Sequence, residues 1–166
     1  MIKRYFEIIG RKSKKAFENK VKNELKNKVL NHYALSIKKN KKSILLQNKK
    51  DIDYAKKIGL KDNFISRLEL DTKKLGAITR SINSISKLKD PTDRILEQWK
   101  RPNGLKIKKV SVPIGVIGVI YESRPNVTSD VSCLCFKSGN SVILKGGSEA
   151  YFTNKILSNL FRKSLK

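Results

Sequence analysis

Between Val112 and Lys145 two stiff apolar runs flank one helical segment, and few folds accommodate that order. Val112-Pro-Ile-Gly-Val-Ile-Gly-Val-Ile-Tyr121 is a run of mostly β-branched residues, the pattern of a strand buried on both faces. Glu122-Ser-Arg-Pro-Asn126 breaks it, because Pro125 ends a regular ladder and biases Arg124 to an extended backbone. Val127, Val131, Leu134 and Cys135 recur at the spacing of one helical face. Gly139-Asn140 tolerates the left-handed conformation that follows a last helical turn. Ser141-Val-Ile-Leu-Lys145 then reads as a second buried strand, and Gly146-Gly147-Ser148 turns into another helix. Two parallel strands joined by a helix form a βαβ unit with a right-handed crossover.

The same residues carry a family resemblance. Pro113-Ile-Gly-Val-Ile-Gly-Val-Ile-Tyr-Glu-Ser-Arg-Pro-Asn-Val-Thr128 and Lys137-Ser-Gly-Asn-Ser-Val-Ile-Leu-Lys-Gly-Gly-Ser-Glu-Ala150 closely resemble the glutamate-5-semialdehyde dehydrogenases, also called gamma-glutamyl phosphate reductases. That family lies within the aldehyde dehydrogenase superfamily. The likeness extends upstream through Arg101-Pro-Asn-Gly-Leu-Lys-Ile107, so it covers nearly all of this chain and well under half of the family's length. It implies reduction of gamma-glutamyl phosphate to glutamate 5-semialdehyde in proline biosynthesis, with NADPH as cofactor and a homo-oligomeric assembly.

Ahead of the βαβ unit the chain reads as a series of amphipathic helices. Phe6, Ile9, Ala16 and Phe17 mark the first. Leu25, Val29, Leu30, Tyr33, Ala34 and Ile37 mark a second, with Asn23 as its N-cap. A third runs through Ile44–Ile58 and stops at Gly59; Asp62 caps a short one reaching Leu68 and Leu70. Asp71 or Thr72 caps a helix carrying Leu75, Ile78, Ile82 and Ile85, which Asp90-Pro91 ends. The later strands are the natural surface for these apolar stripes to cover. Residues 93–112 form a hairpin about Pro102-Asn103-Gly104, where Asn-Gly tolerates positive φ. Leu105 and Ile107 alternate with lysines, which suits either a ribbon packed on its own domain or one reaching a partner subunit; the resemblance favours the partner. After the second strand, Phe152, Ile156, Leu160 and Phe161 share a side of a last helix. The expected fold is therefore α/β: helices over 1–92, a hairpin ribbon over 93–112, and over 113–166 the first βαβα of a doubly wound, Rossmann-like parallel sheet, left incomplete.

A net charge of +24 raises a nucleic-acid or anionic-membrane partner as an alternative. Lysine outnumbers arginine severalfold and is spread over the whole chain, whereas phosphate and base readout favours clustered arginine. A nucleic-acid partner is not expected, and neither is a membrane one, because the longest apolar run is about ten residues against the roughly twenty a span needs. A non-catalytic assembly subunit built on the ribbon is the other alternative. Glu7 and Arg11 interrupt the N-terminal apolar stretch too early for a signal peptide, and Cys133 and Cys135 form no disulfide framework, so a cytoplasmic protein is expected.

Ligands of open α/β sheets lie beyond the carboxyl ends of the strands, here Tyr121 to Asn126 and Lys145 to Ser148. Lys145 can meet an anion, Gly146-Gly147 lets a ligand approach the backbone, and Ser148 can cap the last helix, whose N-terminus favours negative charge. Gly115-x-x-Gly118 lies within the strand and is not a dinucleotide fingerprint; these glycines suit close packing of a helix on the strand. Tyr121, Lys145, Gly147 and Ser148 are therefore the candidate cofactor-binding residues, and the resemblance implies that Lys145 contacts the adenosine ribose. Serine at 148, where the wider superfamily often carries glutamate, spares a 2′-phosphate from repulsion and points to NADPH; Glu149 lies one residue away. The resemblance implies that the Asn126 amide donates to the oxyanion of a tetrahedral intermediate, with a helix cap as its structural alternative. Arg124 is a candidate for the substrate's phosphate or carboxylate, or else a surface ion pair. The lone histidine, His32, has no partner in view and reads as a helix-surface residue. The family's nucleophilic cysteine is expected beyond Lys166, with Cys133 and Cys135 as buried core thiols, so these 166 residues are not expected to turn over substrate. No metal site is expected.

Overall fold

The computed structural model describes residues 2–166, with side chains from Arg4 onward. Five helices come first: α1 (Ile2–Glu18), α2 (Asn23–Lys39), α3 (Lys41–Lys57), α4 (Asp62–Leu68) and α5 (Thr72–Lys87). The hairpin strands β1 (Ile95–Lys100) and β2 (Lys106–Val110) follow, then β3 (Val116–Ile120), α6 (Pro125–Lys137), β4 (Ser141–Lys145), a single 3₁₀ turn (Ser148–Ala150) and α7 (Tyr151–Ser164). β1 and β2 pair antiparallel, while β3 and β4 pair parallel with Val116 opposite Ser141 and Ile120 opposite Lys145. The expected βαβ unit is present. Its first rung is set by Asn140, whose side-chain oxygen accepts from the Gly115 amide at 2.8 Å while the Gly115 carbonyl accepts from Ser141 N–H at 3.0 Å.

One core joins the two ends of the chain. Leu30, Tyr33 and Ile37 of α2, Ile44 of α3 and Ile78 and Ile82 of α5 pack with Cys133 of α6 and Leu157 of α7. The Tyr33 and Phe161 rings meet edge to face with centroids 5.1 Å apart, the orientation ring quadrupoles favour. The helices thus cover α6 and α7 more than the strands; among the described residues α1 is the front-half helix that packs most on β3 and β4. The reason is visible in α6. Its buried face carries Thr128, Ser129, Ser132 and Cys133, small residues that allow close helix approach, whereas Leu134 of the expected apolar stripe is 47% exposed. The hydroxyls are satisfied locally: Ser132 donates to the Thr128 carbonyl and Ser129 bonds the Tyr33 phenol.

Two further expected stripes are displaced. Lys26 is buried where Leu25 was expected, because its ammonium donates to Asp90 at 2.8 Å while Leu25 faces out. On α7 the buried set is Thr153, Leu157, Leu160 and Ser164, with Phe152 at the margin. Phe6 and Ala16 of α1 are exposed. Neither Asn23 nor Asp62 caps its helix, since each is the first helical residue after an extended lysine; Asn23 instead accepts from the Lys137 ammonium. Asp71 does cap α5, accepting from Lys74 N–H at 2.6 Å. Gly59 and Gly139 end α3 and α6 with φ of 71° and 73°. In each case the following amide reaches back to close the last turn, Leu60 to Ala55 and Asn140 to Cys135.

β3 is shorter and barer than its apolar run suggested. Gly115, at φ 127°, interrupts the run, and Val116 and Ile120 are exposed, the latter at 87%. Val116, Gly118 and Ile120 are exposed while Ile117 and Val119 are half-buried, so the strand is covered on one face and not on both. Nor do Gly115 and Gly118 admit a helix: a methyl group at either would meet nothing within 4 Å. The β1–β2 ribbon stands out from the helices, with every residue exposed except the half-buried Ile107. Its tip is a turn closed by Gly104 N–H to the Arg101 carbonyl at 2.9 Å, and only Gly104 takes positive φ. Asn103 keeps negative φ and uses its side chain to accept from Leu105 N–H.

Candidate functional site

The carboxyl ends of β3 and β4 meet directly, with Tyr121 N–H donating to the Lys145 carbonyl at 3.1 Å. Thr128 of α6 gives its single hydroxyl proton to Asn154 of α7 at 2.7 Å, so the Tyr121 phenol donates to Thr128 at 2.7 Å. This chain of three side chains ties the end of β3 to the first turns of α6 and α7. Burial raises the Tyr121 pKa, opposed by the Thr128 hydrogen bond, which keeps the phenol a donor at neutral pH. Lys145 is exposed at this rim, its ammonium resting on the Gly146 carbonyl at 3.0 Å.

The glycines that follow serve internal packing. A methyl group on Gly146 would run into the Asn154 amide and stand 3.0 Å from the Tyr121 ring; one on Gly147 would run into the Glu149 carboxylate. Glu149 accepts from Ser123 of the β3–α6 loop and from Ser148 at 3.3 Å. Ser148 makes no cap for α7. That role falls to Asp51 of α3, which accepts from Phe152 N–H at 3.0 Å, Thr153 N–H at 2.7 Å and the Thr153 hydroxyl at 2.6 Å. The positive end of α7 is therefore held by a carboxylate of this chain rather than left for a ligand. Sequence reasoning missed Asp51 because its partners lie 101 and 102 residues away.

The other candidates gather on the α6 side of the same strand end. Arg124 is the extended residue before α6, Pro125 opens the helix, and Asn126 follows in its first turn, so Asn126 is not the cap. Its amide is exposed and reaches Asp130 at 3.4 Å. Asp130 also accepts from Ser81 of α5 at 2.9 Å. These residues line an open groove of about 440 Å³ whose other wall includes Arg67 of α4 and Lys74 of α5. Glu122 lies between two guanidinium groups, 3.0 Å from Arg67 and 3.9 Å from Arg124. Arg67, Lys74 and Asp130 carried no signal in the sequence, because it takes the fold to set α4 and α5 beside the β3–α6 loop.

Both cysteines are buried, and burial raises each thiol's pKa, so neither is poised as a thiolate. His32 is exposed on α2. Among the described residues no helix is long and apolar enough to cross a membrane, and no three acidic, histidine or cysteine residues cluster as metal ligands.

No protein-family model matches the chain. It is 47% identical over 143 residues to a gamma-glutamyl phosphate reductase from Nautilia profundicola, a match covering 86% of this chain and 35% of that protein. The corresponding reductase from a Thermoanaerobacter species is 51% identical over 139 residues, covering 84% and 34%. A crystal structure of gamma-glutamyl phosphate reductase from Thermotoga maritima superposes with a TM-score of 0.90 at 36% identity, over 93% of this chain and 38% of that one. A probable aldehyde dehydrogenase from Listeria monocytogenes superposes at 0.62 with 15% identity, which speaks for the fold alone. The resemblance carried by Pro113–Thr128 and Lys137–Ala150 thus holds over most of the chain, and the chain spans about a third of the relatives it matches.

Proposed function

We propose that this chain, matching part of a gamma-glutamyl phosphate reductase, supplies the first strands of its NADPH site and one wall of its substrate groove. The reaction proposed for the whole enzyme converts L-glutamyl 5-phosphate, NADPH and a proton to L-glutamate 5-semialdehyde, phosphate and NADP. The observation that carries this reading is the parallel pair β3 and β4, whose carboxyl ends join at Tyr121 and Lys145 with Asn126 on the connecting helix. That is the crevice where open α/β sheets bind ligands.

Lys145, exposed at the rim, fits the polar edge of an adenosine ribose, and exposed Ser148 places no carboxylate against a 2′-phosphate. Glu149 accepts from Ser123 through one oxygen and from Ser148 through the other, so its carboxylate stays beside Ser148 and the preference for NADPH rests on Ser148 alone. The cofactor, when bound, supplies the hydride. The Asn126 amide donates to the oxygen of the reacting carbonyl as charge develops there. Arg124 and Arg67, both near Glu122, suit the substrate's phosphate or carboxylate. The nucleophilic thiolate comes from outside this chain, since Cys133 and Cys135 are buried.

The exposed ribbon suits a contact between subunits, and the free thiols suit the cytoplasm. Replacing Leu105 by Lys should lower the sedimenting mass of the assembled enzyme; an unchanged mass would remove the ribbon from the interface.

The test of the function is NADPH-dependent formation of glutamate 5-semialdehyde by the enzyme containing this segment. Asn126→Ala should lower kcat about a hundredfold. A wild-type enzyme inactive on glutamyl phosphate would overturn the reading.

A further inference from the structure

The groove beside Asn126 is lined by groups of both charges. Arg67 and Lys74 stand across it from Asp130, the half-buried carboxylate of its α6 wall, and Arg124 and the exposed Glu69 also line it. A site for a phosphate or a simple dicarboxylate gains nothing from that carboxylate, because a like charge in the wall repels the ligand. A zwitterionic amino-acid end needs both signs. We infer that Asp130 is a specificity-determining residue that receives the α-ammonium group of an amino-acid substrate, with Arg67 and Arg124 taking its anionic groups. This rests on the reductase reading above and names the part of the substrate that the groove selects.

Asp130 is held for such a role. Ser81 donates to one oxygen at 2.9 Å and the Asn126 amide approaches the other at 3.4 Å. A carboxylate offers about four acceptor positions, so two remain for the three donors of an ammonium group. Ser81 and Asp130 come from α5 and α6, two helices locked together in the core, so the carboxylate is fixed before ligand arrives. The contact to Asn126 also couples the two functions. An ammonium on Asp130 draws the carboxylate's charge away from the amide, leaving that amide to serve the reacting carbonyl.

The test is a titration of the ¹⁵N-labelled chain, followed by amide chemical shifts, with three probes. L-Glutamate carries the ammonium, glutarate is the same chain without it, and NADPH reports on the strand-end rim. L-Glutamate should shift the amides of Ser81, Asn126 and Asp130 at a concentration about tenfold or more below glutarate. Asp130→Asn, with its spectrum otherwise unchanged, should bring the two ligands to equal affinity, and Ser81→Ala should narrow the gap without closing it. Equal affinities in the wild-type chain, no shifts with either ligand, or a preference that survives Asp130→Asn, would overturn the inference. NADPH shifts around Lys145 without selective glutamate binding would leave the reductase reading standing. Glutamate selectivity without NADPH shifts would count against that reading and leave the groove's chemistry in place.

Discussion

The carboxylate of Asp51 lies 2.7 Å from the backbone nitrogen of Thr153, and through that contact α3 caps a helix that begins about a hundred residues later. Both residues are buried. Replacing Asp51 by Ala strands the Phe152 and Thr153 amides and the Thr153 hydroxyl without an acceptor. Unfolding in urea should show a loss of about 3 kcal/mol with little change in slope. A loss below about 0.5 kcal/mol would mean that water or a shifted turn replaces the cap.

A second long-range contact gives the chain a pH dependence. Burial alone would raise the Asp90 carboxyl, but the Lys26 ammonium and the amide and hydroxyl of Thr92 outweigh it and hold the pKa below the usual carboxylate value. A depressed folded-state pKa contributes stability that is present above the unfolded value, about pH 4, and is lost as pH falls through the folded value. Thermal midpoints between about pH 2 and pH 6 should therefore fall more steeply for the wild-type chain than for Asp90→Asn. Parallel curves would remove Asp90 from the acid response.

Glycines 104 and 146 should respond differently to alanine. At Gly104 the space is open and only the φ of 86° is unfavourable, so the cost should be about 1 kcal/mol. At Gly146 the new methyl meets the Asn154 amide and the Tyr121 ring, so stability should fall by about 1–3 kcal/mol. Near-ultraviolet dichroism should also change, since the tyrosine is displaced. Loss of stability without an aromatic signal would show that Tyr121 stays and Asn154 alone moves.

Much of the architecture was legible because it rests on local chemistry. Gly59 and Gly139 stop their helices where left-handed backbone was expected, and Asp71 caps α5. Val112–Lys145 declared a parallel pair because only a crossover helix fits between its two apolar runs. What was not legible depended on partners distant in sequence. Lys26 is buried because Asp90 comes to it, and Asn23, already inside the first turn of α2, accepts from the distant Lys137 instead of capping. α6 was given an apolar face by periodicity, yet it packs through small hydroxyl residues whose bonds to Tyr33 and Asn154 no local pattern encodes. At the site, Tyr121, Arg124, Asn126 and Lys145 were named from the strand ends and the family resemblance. Arg67, Lys74, Ser81 and Asp130 emerged only with the packing of α4 and α5.

The central claim is that the joined ends of β3 and β4 hold the cofactor. A fluorescence titration of NADPH into the wild-type chain and Lys145→Met tests it most directly. The wild-type chain should bind NADPH, more tightly than NADH, and Lys145→Met should weaken binding about tenfold while leaving the unfolding midpoint unchanged. Equal affinity for NADPH in the two proteins, or none in the wild type, would contradict the account.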